Sequence, residues 1–216
     1  GLFKSLLEFA NRIDSNLLSK SHYENLSLAG AFNSVNINRR QTFMSAQILV
    51  DLSTLSSGDK SNQQENIFGS EINLDEIWKL PDVDDWNYKE KLEKERNSLG
   101  FYYSGHPLDC SKKFLDQLDI IDISLISESS ETIVNTVGVV MQVIERSSKN
   151  GRFARLIISS IYSLQEVIIY SDIYLEKKFL LKPGTELYLK IAVTKDNNGT
   201  SRLLVRDLWP LEAKLN

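Results

Sequence analysis

Ile133-Val134-Asn135-Thr136-Val137-Gly138-Val139-Val140-Met141-Gln142-Val143-Ile144 is a long β-branched run with one glycine inside it. β-Branched residues fit a pleated, half-buried surface, and an interior glycine suits a strand that coils sharply where another backbone passes close. Working outward, Lys149-Asn150-Gly151 supplies a hairpin turn into a second strand over 152–159. A third strand is expected over 166–170. Asp172 is placed to cap a helix reaching about residue 181, which Lys182-Pro183-Gly184 ends. Strands over 185–194 and 201–208 then form a closing hairpin around Asp196-Asn197-Asn198-Gly199.

Three strands, a helix and two strands is the order of the OB-fold, a five-stranded Greek-key barrel. Such barrels hold single strands with a basic groove and with flat side chains on which bases stack. Arg146, Lys149 and Arg152 flank the first hairpin as candidate phosphate contacts, and Phe153 is a candidate platform. Arg155 extends the track along the second strand, and Arg202 lies on the last strand. The alternative is that these are solvated surface charges.

Upstream of the barrel, the spacing of Leu2, Leu6, Phe9, Ala10 and Ile13 predicts a helix with one buried face. A second helix is expected over 22–29, stopped by Gly30. Asn38 is the expected N-cap of a third, running through residue 55. Residues 56–85 lose all periodicity and read as a polar, flexible linker. Asn87 and Glu90 stand in capping-box positions for a helix reaching Leu99. Pro107, beside His106, opens one more, to about residue 118.

Between these helices stands Leu99-Gly100-Phe101-Tyr102-Tyr103-Ser104-Gly105-His106-Pro107-Leu108-Asp109, preceded by Glu93-Lys94-Glu95. Two glycines allow backbone angles a side chain would forbid, and three aromatics argue for a packed segment. The stretch resembles the region just before the OB-fold in the alpha subunit of bacterial DNA polymerase III. That resemblance implies an α+β chain. Residues 1–55 would be the end of a helix-hairpin-helix region, 56–85 a linker, 86–131 connecting helices, 132–209 the OB-fold and 210–216 a tail. Leu26-Ser27-Leu28-Ala29-Gly30-Ala31-Phe32 is similar to the family's second hairpin, with Asn33 where an Asp is usual and Ser27 where an aliphatic is expected. Packing is the expected role of this copy. After the second strand, Ser159-Ser160 and Ser163 stand where the family usually has Glu-Asp and Gly.

Within the linker, Gln64-Glu65-Asn66-Ile67-Phe68 sets two large hydrophobes in a polar context. The pattern is similar to the clamp-binding pentapeptide of bacterial replication proteins. By that resemblance Gln64 bonds at the lip of a pocket on the sliding clamp, and Ile67 and Phe68 fill it. Burying each hydrophobe is worth ~1.5–3 kcal/mol, which gives micromolar binding at best. Glu65 departs from the commonest residue there, which weakens binding. The alternative is that Ile67 and Phe68 fold back onto the helices.

The family's full chain performs DNA-templated DNA synthesis by Mg²⁺-dependent nucleotidyl transfer, and its carboxylates lie upstream of anything matched here. Asp82-Val83-Asp84-Asp85 reads as charge ahead of a helix N-terminus, not a metal site. With His22 and His106 apart and Cys110 alone, no catalytic residues, metal site or cofactor are assigned to this chain. The single cysteine excludes an internal disulfide and fits a cytoplasmic location. No apolar run approaches a membrane span. A start at Gly1 without Met suggests a piece of a longer protein. Residues 1–131 carry 13 Lys+Arg against 21 Asp+Glu, and residues 132–208 carry 11 against 7, so a polyanion is expected to meet the barrel.

The expected role is therefore tethering and template holding. The partners are single-stranded DNA, the sliding clamp and, further off, a clamp-loader subunit and other holoenzyme subunits. Two alternatives are an RNA-binding OB module of a synthetase-like protein and a purely structural interaction module.

Overall fold

The computed structural model describes residues 1–61, 78–126, 132–148, 151–195 and 201–215. They form two compact units, Gly1–Tyr103 and Ser104–Asn216.

In the first unit, α1 (Leu6–Arg12) begins later than its apolar spacing suggested, because the Ser5 hydroxyl caps it by accepting from Glu8 N–H. Helix α2 (Lys20–Leu28) follows, and Gly30 past its end has φ +76°, as a C-terminal glycine should. Asn38 caps the next helix as its side chain predicts, but the expected single helix is broken at Ser45. The Ser45 hydroxyl donates to Gln41 C=O at 2.8 Å, the back-bonding with which serine competes against a helical ladder. The result is α3 (Arg39–Met44) and α4 (Ala46–Ser61). Leu6, Ala10, Tyr23, Phe32, Ala46, Leu49 and Leu52 close the core of this unit.

Helix α4 runs past residue 55, into the stretch that composition marked as linker. At the other end of that stretch the chain is bonded to α3: Gln41 donates to Pro81 C=O at 2.9 Å and Asn38 to Val83 C=O at 2.7 Å. Helix α5 (Tyr88–Leu99) then starts on the Asn87–Glu90 capping box and ends at Gly100, φ +85°. Gly105 has no positive φ, contrary to expectation. Gln64, Ile67 and Phe68 lie outside the described residues.

The second unit opens on a 3-10 turn (Pro107–Ser111) and one turn of helix, α6 (Lys112–Leu115), shorter than the helix expected to residue 118. Its strands are β1 (Ile133–Ser148), β2 (Gly151–Ser159), β3 (Leu164–Ile169), β4 (Glu186–Lys195) and β5 (Ser201–Pro210). They close a barrel in the order β1-β2-β3-β5-β4, with β3 parallel to β5 through Ile168↔Leu204. This is the OB-fold. Strand β1 serves two neighbours: residues 133–139 pair with β4 and residues 139–148 with β2. At the exchange point a Cβ on Gly138 would lie 2.2 Å from Ile158 Cγ2, so the missing side chain is what lets β2 cross. Val134, Val140, Leu156, Ile158, Val167, Leu189 and Val205 fill the interior, joined by Ile123 and Ile126.

Helix α7 (Ser171–Lys177) has Tyr170 at its N-cap position, without a side-chain capping bond, which leaves Asp172 in the first turn instead of at the cap. Strand β5 continues beyond residue 208 because Trp209 still has a partner, Tyr188, at 6.0 Å. Lys214 on α8 (Glu212–Leu215) then covers the Trp209 ring at 4.3 Å.

Candidate nucleic-acid interface

Alternation along β2 sends Ala154, Leu156 and Ile158 into the barrel and leaves Phe153, Arg155 and Ile157 on its outer surface. Register does the rest. On β1, Arg146 is opposite Phe153 and Ile144 opposite Arg155. On β3, Ile168 is opposite Arg155. One residue past β3, the Tyr170 ring stands 6.2 Å from that of Phe153, tilted by 44°. Arg146, Phe153, Tyr170 and Arg155 thus share one face, although they come from three places in the chain.

Their charges differ. Arg146 and Arg152 are exposed at the tip of the β1–β2 hairpin and form no ion pair among the described residues. Arg155 is held by Glu166: its Nε donates to Oε1 at 2.7 Å and its Nη2 to Oε2. That contact raises the guanidinium pKa further. Beneath the hairpin, burial and the hydrogen-bonded Glu145 carboxylate push the Tyr174 phenol up to about 12.

Arg202 lies apart from the hairpin, exposed on β5 opposite Thr194. With Arg155, Gln165, Glu166, Ile168 and Ser201 it lines a cleft of about 450 Å³ between β3 and β5. Lys149 lies outside the described residues. Sequence reading missed Tyr170 and Glu166, since each matters only through its cross-strand partner. A register drawn from the β2–β3 alternation would have found both.

The hairpin of the helical unit is built for packing. Ala29, Gly30 and Ala31 donate their N–H groups to the carbonyls of Asn25, Ser27 and Leu26. A Cβ on Gly30 would lie 2.4 Å from the Arg39 guanidinium, and Arg39 Nε donates to Asn33 Oδ1 at 3.1 Å. In Asp82-Val83-Asp84-Asp85 the last carboxylate is spent on protein partners. Asp85 Oδ2 meets Lys91 Nζ at 2.5 Å, while its Oδ1 accepts from the N–H groups of Arg40 and Trp86. Among the described residues no three His, Cys, Asp or Glu side chains group to hold a metal ion. His106 caps the 3-10 turn: Nδ1 accepts from Leu108 N–H at 3.2 Å and Nε2 bonds Ser159 Oγ at 3.1 Å. Burial lowers its pKa to about 4, with Asp109 opposing. Among the described residues no helix is long and apolar enough to cross a membrane.

Residues 1–42 match a family model described as a helix-hairpin-helix motif. Among solved structures, the mitochondrial single-stranded DNA binding protein Rim1 of S. cerevisiae aligns with 37% of this chain and 94% of its own, at 16% identity and a TM-score of 0.33. The DNA polymerase III subunit alpha of Caulobacter vibrioides is 29% identical over 216 residues, covering 98% of this chain and 19% of that one. The corresponding subunit of Borreliella burgdorferi is 26% identical over 189 residues, covering 84% and 16%. The chain thus spans about a fifth of the length of the alpha subunits it matches. Similarity from the hairpin helices through the barrel places this chain in the DNA polymerase III alpha-subunit family.

Proposed function

We propose that this segment holds single-stranded DNA on the outer face of its barrel and tethers the alpha subunit to the sliding clamp. The parent chain performs templated DNA synthesis in the cytoplasm, and nucleotidyl transfer is carried by other parts of it. One observation carries the first half: Arg146, Phe153, Tyr170 and Arg155 converge on one face by strand register alone. Cations at the hairpin tip suit phosphates, and the paired rings beside them suit bases, the combination by which single strands are held without sequence preference. The tether rests on Gln64, Ile67 and Phe68. A weak peptide suffices for that task, because a second linked contact acts at high effective concentration.

Titration of a labelled oligonucleotide over a salt series tests the first half. Log affinity should fall linearly with log salt, with a slope near −0.7 per neutralised phosphate. No binding at low salt would leave the barrel a packing module, and binding to RNA alone would favour the synthetase-like alternative. For the tether, Gln64→Ala with Phe68→Ala should abolish clamp capture and leave oligonucleotide affinity unchanged. A clamp-loader subunit and other holoenzyme subunits are further partners within this proposal.

A further inference from the structure

Resting on the reading of the barrel as a single-strand face, we infer that the cleft between β3 and β5 is a nucleobase pocket, with the Arg155–Glu166 pair as its wall. In the sequence Arg155 looks like one more phosphate contact. The structure gives it a different chemistry. Two donor atoms of the guanidinium are turned to a carboxylate, Nε to Oε1 at 2.7 Å and Nη2 to Oε2. The pair is neutral as a unit, so a strand bound against it displaces no counterion there. A phosphate brought to that edge would meet Glu166 first.

What the pair does offer is a fixed plane. Phe153 stands two residues away on the same outer face, roughly 6.7 Å along the strand. The rest of the cleft is also suited to a base. Ile168 and Leu203 are apolar surface, the Gln165 amide and the Ser201 hydroxyl are uncharged donors and acceptors, Arg202 adds a guanidinium on the β5 side, and about 450 Å³ is available. The face is thus divided. Arg146 at the hairpin tip takes the backbone, and the cleft, where Arg155 is spent on Glu166 and Arg202 stands on the β5 side, takes a base. Glu166 acts through Arg155 as a positioning residue.

The test uses the 216-residue chain, a single-stranded oligonucleotide, and an oligonucleotide of equal length carrying abasic sites, each titrated over a salt series. Arg155→Gln made together with Glu166→Gln, so that no charge is left unpaired, should weaken binding of the intact strand about 5-fold or more, leave the salt slope unchanged and not affect the abasic strand. Arg155→Lys keeps the charge and loses the plane, and should fail in the same way. Glu166→Gln should release one cation, making the slope steeper by about 0.7 and binding about 8-fold tighter at 50 mM salt than at 1 M, relative to the unchanged chain. Loss of slope in the double variant with equal weakening on abasic DNA would make Arg155 a phosphate contact and overturn the pocket, as would full rescue by Arg155→Lys. No effect of any of the three variants would equally overturn it. If the unchanged chain binds neither strand, the single-strand reading itself falls. If it binds and only Arg146→Gln weakens it, that reading stands and the pocket falls alone.

Discussion

Arg39 and Glu95, 56 residues apart in the chain, meet at 3.0 Å inside the helical unit, with side chains 7% and 0% exposed. Both make further hydrogen bonds. Arg39 also donates to Asn33 Oδ1, and Glu95 Oε1 accepts from Tyr103 N–H. Removing one partner of such a pair strands the other charge in the interior, at a cost of about 3–5 kcal/mol. Glu95→Ala should therefore lower the unfolding free energy of the helical unit by that amount, read as a lower urea midpoint. Gly30→Ala should do comparable damage, since its Cβ would press on the same guanidinium. Near-normal midpoints for both would mean the pair is not what locks α2, α3 and α5 together.

Barrel closure rests on Gly138. Its φ is unexceptional, so the constraint is space: Ile158 Cγ2 would stand 2.2 Å from an added methyl, and Ser159 C=O 3.1 Å. Overpacking of this kind typically costs about 1–3 kcal/mol. Gly138→Ala should lower the thermal midpoint of the barrel unit, and Ile158→Ala in the same chain should recover part of the loss. A single variant as stable as the parent would show that β1 can shift away from β2 freely.

His106 gives the barrel unit a pH dependence with a definite sign. Its folded pKa, near 4, lies below the ordinary 6.5 because burial disfavours the imidazolium. As pH falls below 6.5 the unfolded chain takes up the proton first, so the stabilisation is complete above that pH and is lost by about pH 4. The full loss is about 3 kcal/mol. Carboxylates titrate in part of the same window, so the comparison is with His106→Asn, which keeps an N-cap and cannot titrate. Urea midpoints at pH 7 and pH 4.5 should fall more for the parent than for the variant. Parallel falls would mean the ring is solvated enough to protonate in place.

How much of this was visible in the residue order depends on range. Local signals came through: the Asn87–Glu90 box, the Gly30 stop, the hairpin entering at Gly151 and the coiled first strand marked by Gly138. Side chains that act across the fold did not. Glu95 sits in a polar helix with nothing nearby to announce an arginine 56 residues upstream. The helix breaks at Ser45, whose hydroxyl takes a carbonyl of the previous turn, while the flanking residues alone read as continuous. Glu166 and Tyr170 become part of the site only once β3 is set against β2, and one residue of slip would have sent Arg155 inward and Leu156 out.

Phe153 and Tyr170 should carry most of the base-stacking on the barrel face. The rings are tilted neighbours at 6.2 Å, and both are reachable from solvent, Tyr170 at 52% exposure. Losing an aromatic platform costs ~1–3 kcal/mol per stacked base, so Phe153→Ala or Tyr170→Ala should weaken oligonucleotide binding about 5- to 150-fold. Because neither ring is charged, the slope of log affinity against log salt should not change. Because the rings touch one another, the double variant should lose less than the sum of the two single losses. Arg146→Gln is the contrast, reducing the slope by about 0.7 with a loss that fades at high salt. Should either aromatic variant flatten the slope, or the arginine variant leave it intact, then the assignment of bases to the rings and phosphates to the hairpin tip is the wrong way round.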